Sequence, residues 1–77
     1  MKNEIKKVMA SVFLVEENEI SDDISQKNFE KWESMQHLML IVEIESEFGV
    51  SFEPEDIVEM TSLEMIEKHL SLIKKDN

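Results

Sequence analysis

The sequence predicts an all-α fold, a small four-helix bundle made of three main helices and one short helix, with a long first loop. Apolar residues recur at helical spacing in three segments of the chain, whereas no segment alternates convincingly as a half-buried strand does. The chain has 77 residues, so we expect one domain spanning residues 1–77. It contains no cysteine, which excludes disulfides and cysteine-based zinc sites.

The first helix is predicted over residues 3–15, because apolar side chains there fall on one stripe of a helix. That stripe consists of Ile5, Val8, Met9, Val12 and Phe13. Residues 16–31 lack sustained periodicity and are rich in Asn, Asp and Ser, which predicts a long loop. Three apolar residues within it, Ile20, Ile24 and Phe29, are expected to fasten the loop to the core.

The second helix is predicted from Ser34 to Phe48, and Gly49 is expected to end it as a left-handed cap. Pro54 is expected to open a brief helix over residues 55–59. The last helix is predicted to begin at a Thr61–Glu64 capping box. Its inner stripe is Leu63, Ile66, Leu70 and Ile73, and Lys74 and Lys75 lie where the helix dipole favours cations.

The second helix carries two apolar faces. One face groups Leu40, Ile41, Ile44 and Phe48, which we assign to the core. The other is a stripe of Met35, Leu38, Met39 and Val42. Either the helix is buried on two sides or this stripe is exposed; we expect partial exposure, since methionines suit an adaptable contact surface. Three acids on the same helix, Glu43, Glu45 and Glu47, are either solvated or the rim of a protein-docking site.

The charge balance restricts the partners. The formal net charge is -10, and no lysine or arginine occurs between Lys31 and Lys68. Nucleic acid and anionic membranes are therefore disfavoured, whereas basic protein surfaces are favoured. A purely solubilising role of the acids is the alternative. No apolar run approaches the roughly 20 residues of a membrane span, and the N-terminus does not fit a signal peptide. We therefore expect a cytoplasmic protein that is not inserted in membranes. We also expect a monomer.

Ser34 taken alone is an N-cap candidate. Its neighbours change that interpretation: Glu33 precedes it, Met35 follows it, and LIVEIESEFGV runs from Leu40 to Val50. In this pattern the chain resembles the acyl and peptidyl carrier proteins, whose signature is Asp-Ser-Leu at the start of the second helix followed by acids, Phe and Gly. Length, helix order, long first loop and acidity extend the resemblance over nearly the whole chain.

The resemblance implies that Ser34 carries 4'-phosphopantetheine through a phosphodiester, installed from coenzyme A by a phosphopantetheinyl transferase. The thiol of the arm would hold an acyl, aminoacyl or peptidyl group for partner enzymes with basic docking surfaces, namely activating ligases, synthases or acyltransferases. Glu33 replaces the usual Asp, and Gln36 and Met39 stand where many fatty-acid carriers have acids. These departures leave open ordinary fatty-acid synthesis or a specialised lipid or secondary-metabolite pathway.

Other functions have weaker support in the sequence. The alternative to a carrier is an unmodified acidic helical module that binds a basic or amphipathic protein. A Ser34–His37 hydrolase would need an oxyanion hole and an orienting group that the sequence does not indicate. The acids between Glu53 and Glu59 lack the spacing of a calcium-binding EF-hand loop, so no dedicated metal site is expected. We expect His37 to be packed or half-exposed and His69 to be exposed.

Overall fold

The computed structural model describes residues 1–75, with side chains for residues 1–73. Four α-helices follow one another: α1 (Lys2–Phe13), α2 (Ser34–Phe48), α3 (Pro54–Glu59) and α4 (Leu63–Lys75). A 3-10 turn at Glu17–Glu19 interrupts the first loop. The described residues contain no strand, only an isolated bridge between Ser25 and Ser62. The predicted helical bundle is confirmed, whereas the Lys74 and Lys75 side chains lie outside the described part.

Two helices end at residues in the left-handed conformation. Gly49 ends α2 as predicted, with φ 66° and ψ 40°, and its N–H donates to the Glu45 carbonyl. α1 stops at Phe13 because Leu14 also adopts left-handed angles, φ 58° and ψ 49°. The prediction of a first helix through residue 15 was therefore two residues too long. The apolar pattern continues to Val15, which packs against the core although the chain has already left the helix.

The start of α4 differs from the prediction by one residue. Ser62, not Thr61, precedes the helix, and the Ser62 hydroxyl oxygen accepts a hydrogen bond from the Met65 N–H at 3.1 Å. Thr61 is held outside the helix because its carbonyl accepts the Gln26 N–H at 2.8 Å. The predicted Thr61–Glu64 capping box is thus wrong in register. Instead, Ser62 is the residue before the helix, and its side chain caps the N–H of the third helical residue, Met65.

One hydrophobic core joins all four helices and the loop. The predicted inner stripes of α1 and α4 are confirmed, since Ile5, Met9, Phe13, Leu63, Ile66 and Leu70 are buried and Val8, Val12 and Ile73 are partly buried. The loop residues Ile20 and Ile24 are buried, and Phe29 packs against Phe13 with ring centroids 5.2 Å apart. No helix in the described part is both long and apolar enough to cross a membrane.

The long loop is also tied down by polar contacts. The Leu63 N–H donates to the Ile24 carbonyl at 3.1 Å, which joins the loop to the start of α4. On α1, the Lys6 ammonium donates to Asp22, and this hydrogen bond holds the pKa of the Asp22 carboxyl below its usual range. The loop is therefore a fastened segment that leads the chain to the first residue of α2.

Candidate functional site

Ser34 is the first residue of α2, and the N-cap position belongs to Glu33, whose backbone is extended with φ −95° and ψ 176°. The Glu33 side chain makes no capping hydrogen bond. The Ser34 side chain is exposed, and its hydroxyl has no hydrogen-bond partner among the described residues. This hydroxyl is therefore free to react, because it does not serve as the helix cap that its sequence position first suggested.

The backbone around Ser34 offers unpaired donors. The first hydrogen bond of the helix joins the His37 N–H to the Glu33 carbonyl at 2.8 Å. The N–H groups of Ser34, Met35 and Gln36 consequently have no backbone acceptor within the described chain. Such a helix N-terminus carries partial positive charge and favours a bound anion by roughly 0.3–1 kcal/mol when exposed. A phosphate attached at this point would meet suitable donors without any basic side chain.

The second apolar stripe of α2 is exposed beside Ser34. Side-chain exposure is 70% for Met35, 59% for Leu38, 51% for Met39 and 60% for Val42. The opposite face is the core face, with Leu40, Ile41 and Ile44 buried and Phe48 partly buried. The prediction of an exposed second stripe is confirmed. These four residues, which we call the α2 stripe, form a contiguous apolar surface that no described residue covers.

The acids of α2 differ in what they do. Glu43 and Glu47 are exposed, and Glu43 borders a shallow depression formed with Leu38, Met39 and Val42. Glu45 is half-buried, and one of its carboxylate oxygens accepts the Phe52 N–H at 2.8 Å. Glu45 thus fastens α2 to the segment that leads into α3, whereas Glu43 and Glu47 present their charge to solvent.

His37 is engaged in the core and does not act on Ser34. The Trp32 indole N–H donates to His37 Nδ1 at 3.0 Å, and His37 Nε2 lies 2.9 Å from the Ile57 carbonyl. Because the indole nitrogen can only donate, Nδ1 must accept and Nε2 must carry the proton. Both ring nitrogens are therefore used, and no base contacts the Ser34 hydroxyl. His37, expected to be packed or half-exposed, is packed, and Trp32 is a buried anchor of the loop end.

Two residues lie where the sequence did not place them. Leu14 is 86% exposed and borders the same depression as Lys31, Glu33 and Gln36, next to the start of α2. The sequence did not single it out, because its exposed position follows from the end of α1 at Phe13 and from its own left-handed backbone angles. His69 was expected to be exposed, but its side chain is only 12% exposed, because α4 turns it towards α3.

Comparison with protein families shows that a family model described as a phosphopantetheine attachment site matches residues 3–70. The match begins within α1 and ends within α4, so it includes the long loop, Ser34 and all of α2 and α3. No curated protein matches the chain significantly.

Proposed function

The chain belongs to the phosphopantetheine attachment family of carrier proteins, and from this premise we propose that Ser34 is its attachment residue. Members of the family bear 4'-phosphopantetheine covalently, typically on a serine, and are generally non-catalytic. The single observation that carries the proposal is the exposed, unpartnered hydroxyl of Ser34 on the first turn of α2.

The attachment reaction needs little from this chain. The Ser34 oxygen forms a new P–O bond to the pantetheine-bearing phosphate of coenzyme A, and the pyrophosphate P–O bond breaks to release adenosine 3',5'-bisphosphate. The hydroxyl proton passes to a base of the phosphopantetheinyl transferase, since His37 is occupied by Trp32 and Ile57. The N–H groups at the start of α2 that lack a backbone acceptor would be available as donors to the phosphodiester. When bound, the arm supplies a thiol that holds acyl, aminoacyl or peptidyl cargo as a thioester.

We assign partner binding to the α2 stripe and the acids around it. An exposed apolar strip flanked by carboxylates suits a partner whose docking surface combines apolar residues with lysine and arginine. Glu33, Glu43 and Glu47 are exposed and can pair with such bases, and Glu45 retains one carboxylate oxygen beyond its bond to Phe52. The partners proposed are the transferase and the ligases, synthases or acyltransferases that load and use the cargo.

The pathway proposed is fatty-acid biosynthesis or a specialised lipid or secondary-metabolite route. Gln36 and Met39 favour the specialised route, because they put an amide and an apolar side chain where many fatty-acid carriers have acids. We further propose that residues 1–77 form a single carrier domain and act as a cytoplasmic monomer.

Intact mass measurement tests the attachment directly. The full chain is incubated with coenzyme A and a broad-specificity phosphopantetheinyl transferase, and we expect one added phosphopantetheine. Ser34→Ala should abolish the addition, whereas Ser46→Ala, a matched change at an exposed serine of the same helix, should leave it complete. An unmodified wild-type chain that still binds a basic partner through the α2 stripe would instead favour the acidic interaction module.

A further inference from the structure

Away from Ser34, two acids of α3 and a histidine of α4 converge. His69 Nδ1 lies 3.6 Å from Asp56 Oδ1, and His69 Nε2 lies 3.5 Å from Glu59 Oε1. One possible ligand atom from each of the three residues lies within 4.8 Å of the other two. The Nε2 atom is completely buried and has no hydrogen-bond partner among the described residues. A buried polar atom without a partner needs an explanation, and an absent ion is one of the standard explanations.

We propose that Asp56, Glu59 and His69 form a binding site for a divalent transition-metal ion of the zinc type. Zinc accepts both imidazole nitrogen and carboxylate oxygen as ligands, and a zinc ion with three protein ligands holds water in the fourth position. The imidazole distinguishes this site from calcium and magnesium sites, which are built from oxygen ligands. The nitrogen assigned to the ion is Nε2, because it is buried and makes no hydrogen bond among the described residues.

The distances fit a site that closes slightly around its ion. Zinc–nitrogen and zinc–oxygen bonds of about 2.0–2.2 Å in a tetrahedron separate neighbouring ligand atoms by roughly 3.3–3.5 Å. The 3.5 Å between His69 Nε2 and Glu59 Oε1 already matches this spacing. Asp56 Oδ1 lies beside Nδ1, so the Asp56 side chain must rotate towards an ion held by Nε2, although one ligand atom of each residue already lies within 4.8 Å of the others. Glu59, whose side chain is 64% exposed, is free to adjust.

The electrostatics favour a cation at this position. No lysine or arginine occurs from residue 32 to residue 67, a segment that includes both carboxylates of the site. A divalent ion would neutralise Asp56 and Glu59 together and relieve their repulsion on the first and last turns of α3. It would also link α3, which has no buried residue of its own, to the well-buried α4.

This site was not expected from the sequence, which predicted no dedicated metal site. Asp56 and Glu59 are three residues apart and share a helix face, but His69 is ten residues further along and belongs to another helix. Only the packing of α4 against α3 brings its imidazole to the two acids.

Zinc titration of the untagged full chain tests the proposal. Isothermal titration calorimetry with zinc chloride is performed in millimolar magnesium, which occupies weak carboxylate sites. We expect one zinc ion per chain, and at least about tenfold weaker binding in His69→Gln and in Glu59→Gln. Glu17→Gln combined with Glu19→Gln, which removes two acids from the first loop, should leave the affinity unchanged. Ser34→Ala should also bind zinc normally, so this test stands apart from the attachment reaction.

Circular dichroism in a chelator verifies that each variant is folded. If His69→Gln does not fold, Glu59→Gln decides, because Glu59 is exposed and supports no core packing. Zinc affinity that is the same in wild type and Glu59→Gln would overturn the proposal. So would several weak equivalent sites that magnesium abolishes, since these indicate general attraction to an acidic surface.

Discussion

Replacing His37 by leucine tests the polar contact that joins the loop end, α2 and α3. Leucine is similar in volume to histidine, so the change leaves no large cavity. It removes the acceptor of the Trp32 indole N–H and the donor to the Ile57 carbonyl, two contacts of 3.0 and 2.9 Å. Trp32 is 2% exposed, so its N–H has no water to replace the lost partner.

The expected cost follows from one orphaned group, the Trp32 indole N–H, because the Ile57 carbonyl still accepts the Met60 N–H at 3.2 Å. A buried donor left without a partner costs about 1–3 kcal/mol, and we expect a destabilisation in this range. A domain of this length has a total stability of roughly 4–12 kcal/mol, so the variant would lose a sizeable fraction of it. The melting temperature would fall by at least about 4 °C.

Urea denaturation of wild type, His37→Leu, Trp32→Phe and the double variant measures the effect as a cycle. In the double variant the indole donor is absent, so no buried donor is left without a partner. The loss of stability in the double variant should therefore be smaller than the sum of the two single losses, by about 0.5–3 kcal/mol. A free energy of unfolding for His37→Leu within about 0.5 kcal/mol of wild type would contradict this expectation, and so would additive losses in the two single variants. Either outcome would mean that Trp32 and His37 pack side by side without a stabilising hydrogen bond.

Four further substitutions test particular positions. Met39→Glu should alter the free energy of unfolding by no more than about 0.5 kcal/mol, because this side chain is half-exposed, yet it should weaken partner binding; a collapse in melting temperature would mean that the α2 stripe is core. Leu14→Gly should raise stability by about 1 kcal/mol and Gly49→Ala should lower it by a similar amount, because both residues have left-handed backbone angles. No atom would crowd a β-carbon at residue 49, so the backbone conformation alone sets the cost there. Melting temperatures equal to that of wild type in both variants would contradict this expectation. The Lys6–Asp22 contact should stabilise the fold above the usual Asp pKa of 3.8 and lose its effect as the pH falls further, through the lowered pKa of the folded state. Asp22→Asn should therefore lower the free energy of unfolding at neutral pH and make it fall less steeply in acid. Urea denaturation of both proteins at neutral and at acid pH measures this. The same pH dependence in wild type and variant would mean that the contact contributes nothing.

The bundle and its second helix could be predicted because their signals are local. An apolar run between Ser34 and Gly49 defines α2 without reference to the rest of the chain, and the two apolar faces of that helix favour exposure of one of them when the core is small. The signature around Ser34 is likewise a run of neighbouring residues. Local patterns of this kind survive folding, since tertiary packing has little reason to override them.

The errors lie where tertiary contacts decide. Thr61 has the chemistry of a cap, but its carbonyl is held by Gln26 of the first loop, and so Ser62 caps α4 instead. Leu14 continues an apolar pattern that the backbone has already left. His69 is brought against Asp56 and Glu59 by the packing of two helices, a proximity that no local spacing encodes.

Locating the modified residue is the most direct test of the carrier function assigned to this chain. After loading with coenzyme A and a transferase, the protein is digested, and fragmentation of the modified peptide identifies the side chain that bears the phosphodiester. The phosphodiester should lie on Ser34 alone. A phosphodiester on any other serine, or a bare polypeptide when a known carrier is modified in the same reaction mixture, would contradict the account.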